Sequence, residues 1–265
     1  MKRRKLIRYA GASLLATMGS IYASGFQKSV AQSRGSVVVR WLGHTCFLFT
    51  GDGLRILVNP FQTIGCTSGY RLPRVEADLV LISSQLLDEG VVDGLPGNPE
   101  ILFEPGVYDF RGLKVEGIGI AHDREGGRRF GTNVAWNWTQ GGVKIAHLGG
   151  AAAPIEIEQK ILLGAPDVAL IPVGGGVKAY NPREAKQAMQ VLKPKIVIPT
   201  HYLTPAADEN ACDIVPLEQF LQLNDGIPVS RINSDRLTIS KRNLPQQGPV
   251  IKVLSYRNSV ALSQY

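Results

Sequence analysis

Cysteine and histidine are scarce in this chain, with three of the first and four of the second in 265 residues. Three cysteines, Cys46, Cys66 and Cys212, are too few for a disulfide scaffold. A Cys46 to Cys66 bridge is open in an oxidising compartment, and so is a set of buried free thiols. No low-complexity linker divides the chain, so it reads as one large domain or two small ones. Basic surplus is also lacking once the start of the chain is set aside. Of 29 lysines and arginines six stand in residues 1–31, together with none of the 22 acids. The remaining 234 residues therefore carry 23 bases and 22 acids, a net charge of +1. A phosphate-backbone binder needs a basic stripe, and only the short cluster Arg124, Arg128 and Arg129 is left, so nucleic acid is not expected as a partner.

The six early bases have a different meaning. Lys2, Arg3, Arg4, Lys5 and Arg8 precede an uncharged run from Tyr9 to Phe26, followed by Lys28 and the small-residue site Ser29-Val30-Ala31. This basic, apolar, small-residue order is that of a secretory signal, and Arg3-Arg4 with Lys28 near the cleavage site is similar to the twin-arginine pattern. Residues 1–31 are expected to be removed after Ala31. The product would lie in the periplasm or, in a photosynthetic bacterium, in the thylakoid lumen. An uncleaved anchor is the other reading, but Gly11, Gly19 and Gly25 make a poor span. No later run reaches spanning length.

Residues 36–58 alternate apolar and polar around the turn Gly51-Asp52-Gly53, a meander with a hairpin signal at Asp-Gly. Asp78 to Ser83 is a continuous apolar run, expected as a strand buried on both faces. Further strands are expected at 101–104, 113–121, 132–139 and 143–147. Helices over 154–163, 182–192 behind the cap Asn181, and 215–223 then alternate with strands at 168–173, 195–199, 227–231 and 235–240. Strands first, then helices with strands, predict stacked sheets covered by helices.

All four histidines, His44, His122, His147 and His201, fall at expected strand ends, where layered folds carry their chemistry. Around them lie Trp41-Leu42-Gly43-His44-Thr45-Cys46-Phe47, Ile56-Leu57-Val58-Asn59-Pro60-Phe61, Ala77 to Ser83, Ile145-Ala146-His147-Leu148-Gly149 and Ile198-Pro199-Thr200-His201-Tyr202. In this order and spacing the segments resemble the metallo-β-lactamase superfamily, and most of all its branch of L-ascorbate-6-phosphate lactonase-like metal-dependent hydrolases. The resemblance implies an α+β fold, a four-layer αβ/βα sandwich over residues 32–243, with a metal site at one edge of the sheets. Residues 244–265 stand outside the pattern as a C-terminal extension with Pro245, Pro249 and an apolar stretch from Val250 to Tyr256.

The family's His-x-His-x-Asp-His stretch is replaced here by Ser84-Gln85-Leu86-Leu87-Asp88-Glu89, which keeps only Asp88. Its bridging aspartate is replaced by Gly150, and its strand-end aspartate by Asn59. Carried over residue by residue, His122 remains at the first metal position, and Asp88 and His201 at the second, with Glu89 as an oxygen substitute. Ser84, Leu86 and Gly150 are degenerate positions. Divalent metals need imidazole, thiolate or oxygen donors, so the first position is expected to be empty. No cofactor is expected, zinc at the second position being the exception. Asp88, His122 and His201 are then the candidate catalytic residues.

Other chemistries lack their signatures. Ser83 and Ser84 sit in no Gly-x-Ser-x-Gly turn. Gly174-Gly175-Gly176 lacks the Lys-Ser/Thr of a phosphate loop and reads as a tight loop beside the former site. Gly126 to Gly131 reads as a mobile rim loop whose arginines could meet an anion. The expected function is that of an exported, non-catalytic or weakly active relative with a binding or assembly role, its partner a protein or a small anionic ligand. The alternative is a one-metal zinc hydrolase of a lactone, ester or phosphoester.

Overall fold

The computed structural model describes residues 35–208 and 210–256. The signal segment and its cleavage site lie outside the described residues.

The chain begins as an antiparallel meander of β1 (Ser36–Gly43), β2 (Cys46–Gly51) and β3 (Leu54–Val58). Asp52 and Gly53 both take positive φ, 51° and 77°, as the expected Asp-Gly hairpin turn requires. β4 (Leu79–Leu81), buried throughout, and β5 (Glu100–Leu102) add in parallel. A second meander follows, made of β6 (Gly106–Phe110), β7 (Leu113–Ala121), β8 (Thr132–Gln140) and β9 (Val143–His147). The sequence reading had a strand at 101–104 and none at β6, whose alternation is short and mostly exposed.

From there the rhythm changes to α1 (Ile157–Leu163), β10 (Val168–Pro172), α2 (Pro182–Leu192), β11 (Ile196–Thr200), α3 (Leu217–Leu223), β12 (Val229–Ile232), β13 (Arg236–Ser240) and β14 (Val250–Leu254). α2 shows why its residues form a helix. The Asn181 side chain accepts from the amides of Arg183 and Glu184, and the Glu184 carboxylate returns to the Asn181 amide at 2.8 Å. Pro182 fills the first turn, and Ala185, Ala188, Met189 and Leu192 make the buried stripe.

Two sheets result, one of six strands in the order β13-β1-β2-β3-β4-β5 and one of eight in the order β12-β14-β11-β10-β9-β8-β7-β6. They stack face to face. Phe49 of the first sheet meets Trp138 of the second edge-on at 4.9 Å, within a core that also holds Val37, Val39, Phe47, Trp136 and Ile145. α1 and α2 pack on β7 and β10. The outer face of the six-stranded sheet, with Leu42, Cys46, Leu57 and Val80, is closed by Phe61 and Tyr70 from the loop after β3. The fold is thus the expected α+β sandwich.

Two readings of the sequence change. Residues 244–256 of the expected C-terminal extension are built into the fold, because Val250–Leu254 runs parallel between β11 and β12 inside the larger sheet; residues 257–265 lie outside the described residues. The bridge joins Cys66 to Cys212, not Cys46 to Cys66; Cys46 is a free thiol buried under the six-stranded sheet. Cys66 and Cys212 lie 146 residues apart, a separation that gives no local sign of pairing.

Candidate functional site

The site lies where β3, β4, β7, β9, β10 and β11 release their following loops. Three of its non-glycine residues hold positive φ, His44 at 50°, Asn59 at 52° and His201 at 52°. Such strain persists only where surrounding contacts over-determine it. Asn59, standing where the family has aspartate, accepts the Ser83 amide on Oδ1 at 2.8 Å and so ties the end of β3 to the end of β4. After Ser83 the chain turns tightly, with the amides of Glu89 and Gly90 on the Leu86 carbonyl at 3.0 and 2.8 Å. A Cβ on Gly90 would stand 2.2 Å from the Ser84 carbonyl oxygen, so glycine is required there.

This turn sends Asp88 and Glu89 to two different places. Glu89 is fully buried beside His122, with Oε2 3.5 Å from Nε2, and accepts the Ser84 hydroxyl at 3.1 Å. His122 Nδ1 donates to the Gly150 carbonyl at 2.5 Å. Burial raises the Glu89 carboxyl above its ordinary range, against the pull of His122 and Ser84. Asn133 pins the opposite wall, accepting the Gly150 amide at 2.7 Å and donating to the Leu148 carbonyl at 2.9 Å.

Asp88 meets Lys178 instead. The ammonium lies 2.6 Å from Oδ1 and also reaches Oδ2. Burial would raise the Asp88 carboxyl, but Lys178, aided by His44, holds it below its ordinary range. The rings of His44 and His201 face each other nearby at 4.4 Å. Burial pushes His44 down to about 4 and His201 well below its ordinary value, so both are neutral imidazoles. His147 has no share in this cluster. Its Nε2 bonds to the Thr45 carbonyl at 3.0 Å and its Nδ1 accepts the Gly149 amide at 3.1 Å, a satisfied core histidine.

Lys178 escaped the sequence reading, although the glycine run before it did not. Gly174 is needed because a Cβ there would lie 2.1 Å from the His201 carbonyl oxygen, so this tight loop does skirt the site. Arg124 then clamps the loop from outside. It donates to the carbonyls of Gly176 and Ala179, both at 3.0 Å, and pairs with Glu184 at 2.7 Å. The rim loop expected to be mobile is organised by Asp123, whose carboxylate accepts the amides of Glu125, Gly127, Arg129 and Phe130. Its bonds, those to Phe130 foremost, hold Asp123 down at about 2.

The structure brings Ser84, Glu89, His122 and Gly150 together, so Glu89 stands beside His122 rather than with Asp88 and His201 as the sequence reading had it. What stands between them is new. A family model described as the beta-lactamase superfamily domain matches residues 38–201. The chain belongs to the beta-lactamase superfamily. Within this superfamily it is 30% identical over 193 residues to a UPF0173 metal-dependent hydrolase of Thermococcus onnurineus, covering 63% of this chain and 85% of that one. A Thermus thermophilus relative of the same description is 29% identical over 197 residues, covering 63% and 84%. A structure of a proposed zinc-dependent hydrolase of the superfamily from Thermotoga maritima superposes with a TM-score of 0.63 at 28% identity, over 83% of this chain and all of the other.

The superfamily's two-metal centre does not fit the residues present. An aspartate at 150 would need its Cβ 2.3 Å from His122 Cε1 and 2.8 Å from Glu89 Oε1, space that those side chains fill. At the other position an ammonium already neutralises Asp88. Among the described residues no three histidine, cysteine, aspartate or glutamate side chains converge on a point where a metal could be held.

Proposed function

We propose that this superfamily member works without a catalytic metal, as an exported binding protein whose former metal centre has been turned into part of the scaffold. The Lys178 to Asp88 ion pair carries this reading. A cation fixed by covalent bonds supplies the counter-charge a metal ion would supply, yet it cannot polarise a carbonyl by inner-sphere coordination or lower the pKa of a bound water. The Glu89 to His122 pair, closing the space above Gly150, supports it from the other side. Function then has to come from sites other than the ancestral one.

The exported part of the proposal rests on residues 1–31 and gains support from the Cys66–Cys212 bridge, since disulfides persist mainly in oxidising compartments. Periplasm or thylakoid lumen both meet that condition. Among the described residues no helix is long and apolar enough to cross a membrane.

The test is metal per chain in exported protein purified without chelator, paired with hydrolysis of a lactone and a phosphodiester by the wild type and by His201→Ala. Well under one zinc, iron or manganese ion per chain is expected, with no turnover dependent on His201. Near-stoichiometric metal lost from His201→Ala together with turnover would establish a one-metal hydrolase, the lactonase-like chemistry, in its place.

A further inference from the structure

An open groove of about 680 Å³ lies at the opposite end of β11 from His201. Its floor is apolar, made by Met189 of α2, Pro194, Ile227, and Pro245 and Pro249 from the segment before β14. Its rim carries Lys186, Lys193 and Lys195 against one acid, Asp225. Pockets of about 300–1,000 Å³ with an apolar lining and a few charged groups are where small molecules bind.

The rim lysines are not equivalent. Lys186 is committed to the Leu223 carbonyl at 2.6 Å, and Lys195 stands 3.6 Å from Asp167, which Lys241 pairs more closely at 2.7 Å. Lys193 is exposed and has no carboxylate partner among the described residues. It also breaks a local rule. It caps α2 at φ 49°, ψ 51°, the left-handed position where glycine is the favoured residue. This left-handed lysine stands exposed on the lip of the groove.

We infer that this groove is a binding site for a soluble amphipathic anion, an apolar body carrying one carboxylate, with the body on Met189, Ile227 and the two prolines and the carboxylate at Lys193 and Lys195. The inference does not depend on the state of the former metal centre. It gives the C-terminal prolines a task, since they form one wall of the groove.

Laurate is the probe, titrated calorimetrically into the full exported chain, with dodecyltrimethylammonium as the cationic counterpart. One laurate per chain is expected, with the cation bound at least about 10-fold more weakly, as a charge partner worth about 1.4 kcal/mol implies. Lys193→Gly should stabilise the fold, by removing the left-handed strain, while weakening laurate about 10-fold. Lys193→Glu should abolish binding without unfolding, because the side chain is exposed. Equal affinity of Lys193→Gly and wild type, equal affinity for the cation, or binding to phosphatidylglycerol vesicles without binding to free laurate would each overturn the inference.

Discussion

The Glu89 carboxylate lies against Gly150, with its oxygens 2.8 and 3.0 Å from where a Cβ on that glycine would stand. Glutamate and glycine are thus a matched pair. The longer side chain occupies the volume that the missing one vacated, and His122 closes the remainder.

Gly150→Ala should therefore destabilise the protein by about 1–3 kcal/mol, the usual cost of overpacking a filled site. Adding Glu89→Ala should recover part of that loss, giving a coupling on the order of 0.5–3 kcal/mol in a double-mutant cycle. Urea denaturation of the four proteins measures it. A Gly150→Ala variant as stable as the wild type would show that this space is not filled.

Acid should weaken the fold before it protonates most surface carboxylates. His44 and His147 are each held down at about 4 by burial, against 6.5 in the unfolded chain. Their folded pKa values are lowered, so the stability they contribute is fully present above pH 6.5 and is lost as pH falls toward 4. Each can steepen the loss by up to about 1.4 kcal/mol per pH unit. Asp88, also lowered, adds to the loss further down, while Glu89, raised by its own burial, opposes it. Urea midpoints should be level from pH 8 to 7 and drop between 6.5 and 4. A midpoint that climbs through that interval would contradict the neutral histidines.

Replacing Arg3 and Arg4 by lysine should keep the chain in the cytoplasm with Cys66 and Cys212 reduced. The exported wild type should have them joined and be about 2–5 kcal/mol more stable than its reduced form. Cys46, buried and with its thiol pushed well up by burial, should resist iodoacetamide in both until the protein is unfolded. Thiol counting by mass after fractionation decides the matter, and normal export of the double-lysine variant would end the twin-arginine reading.

Much of this architecture was legible because period and punctuation agree. Asp52-Gly53 marked its hairpin, the run from Asp78 marked a buried strand, and Asn181-Pro182 marked the start of α2. The degenerate positions were read by comparison with a known pattern, which grouped Glu89 with Asp88 and His201, whereas the turn after Ser83 sends it to His122. Lys178 was not legible, since it lies 90 positions from Asp88 and nothing local distinguishes it from a solvated lysine. Only the approach of Gly174 to His201 and the grip of Arg124 make its direction definite. β14 was missed for a related reason, because its partners are decided by a crossover and its own residues alternate only briefly.

The place of β14 governs how the molecule is made. In the larger sheet the edge strand β12 pairs with β14, the last strand among the described residues. While residues 250–254 remain inside the ribosome, β12 has no neighbour in that sheet and the β11 edge stays open. The sheet can close only once residues 250–254 have been made, so strands formed early in the chain wait for a partner that is remote in sequence.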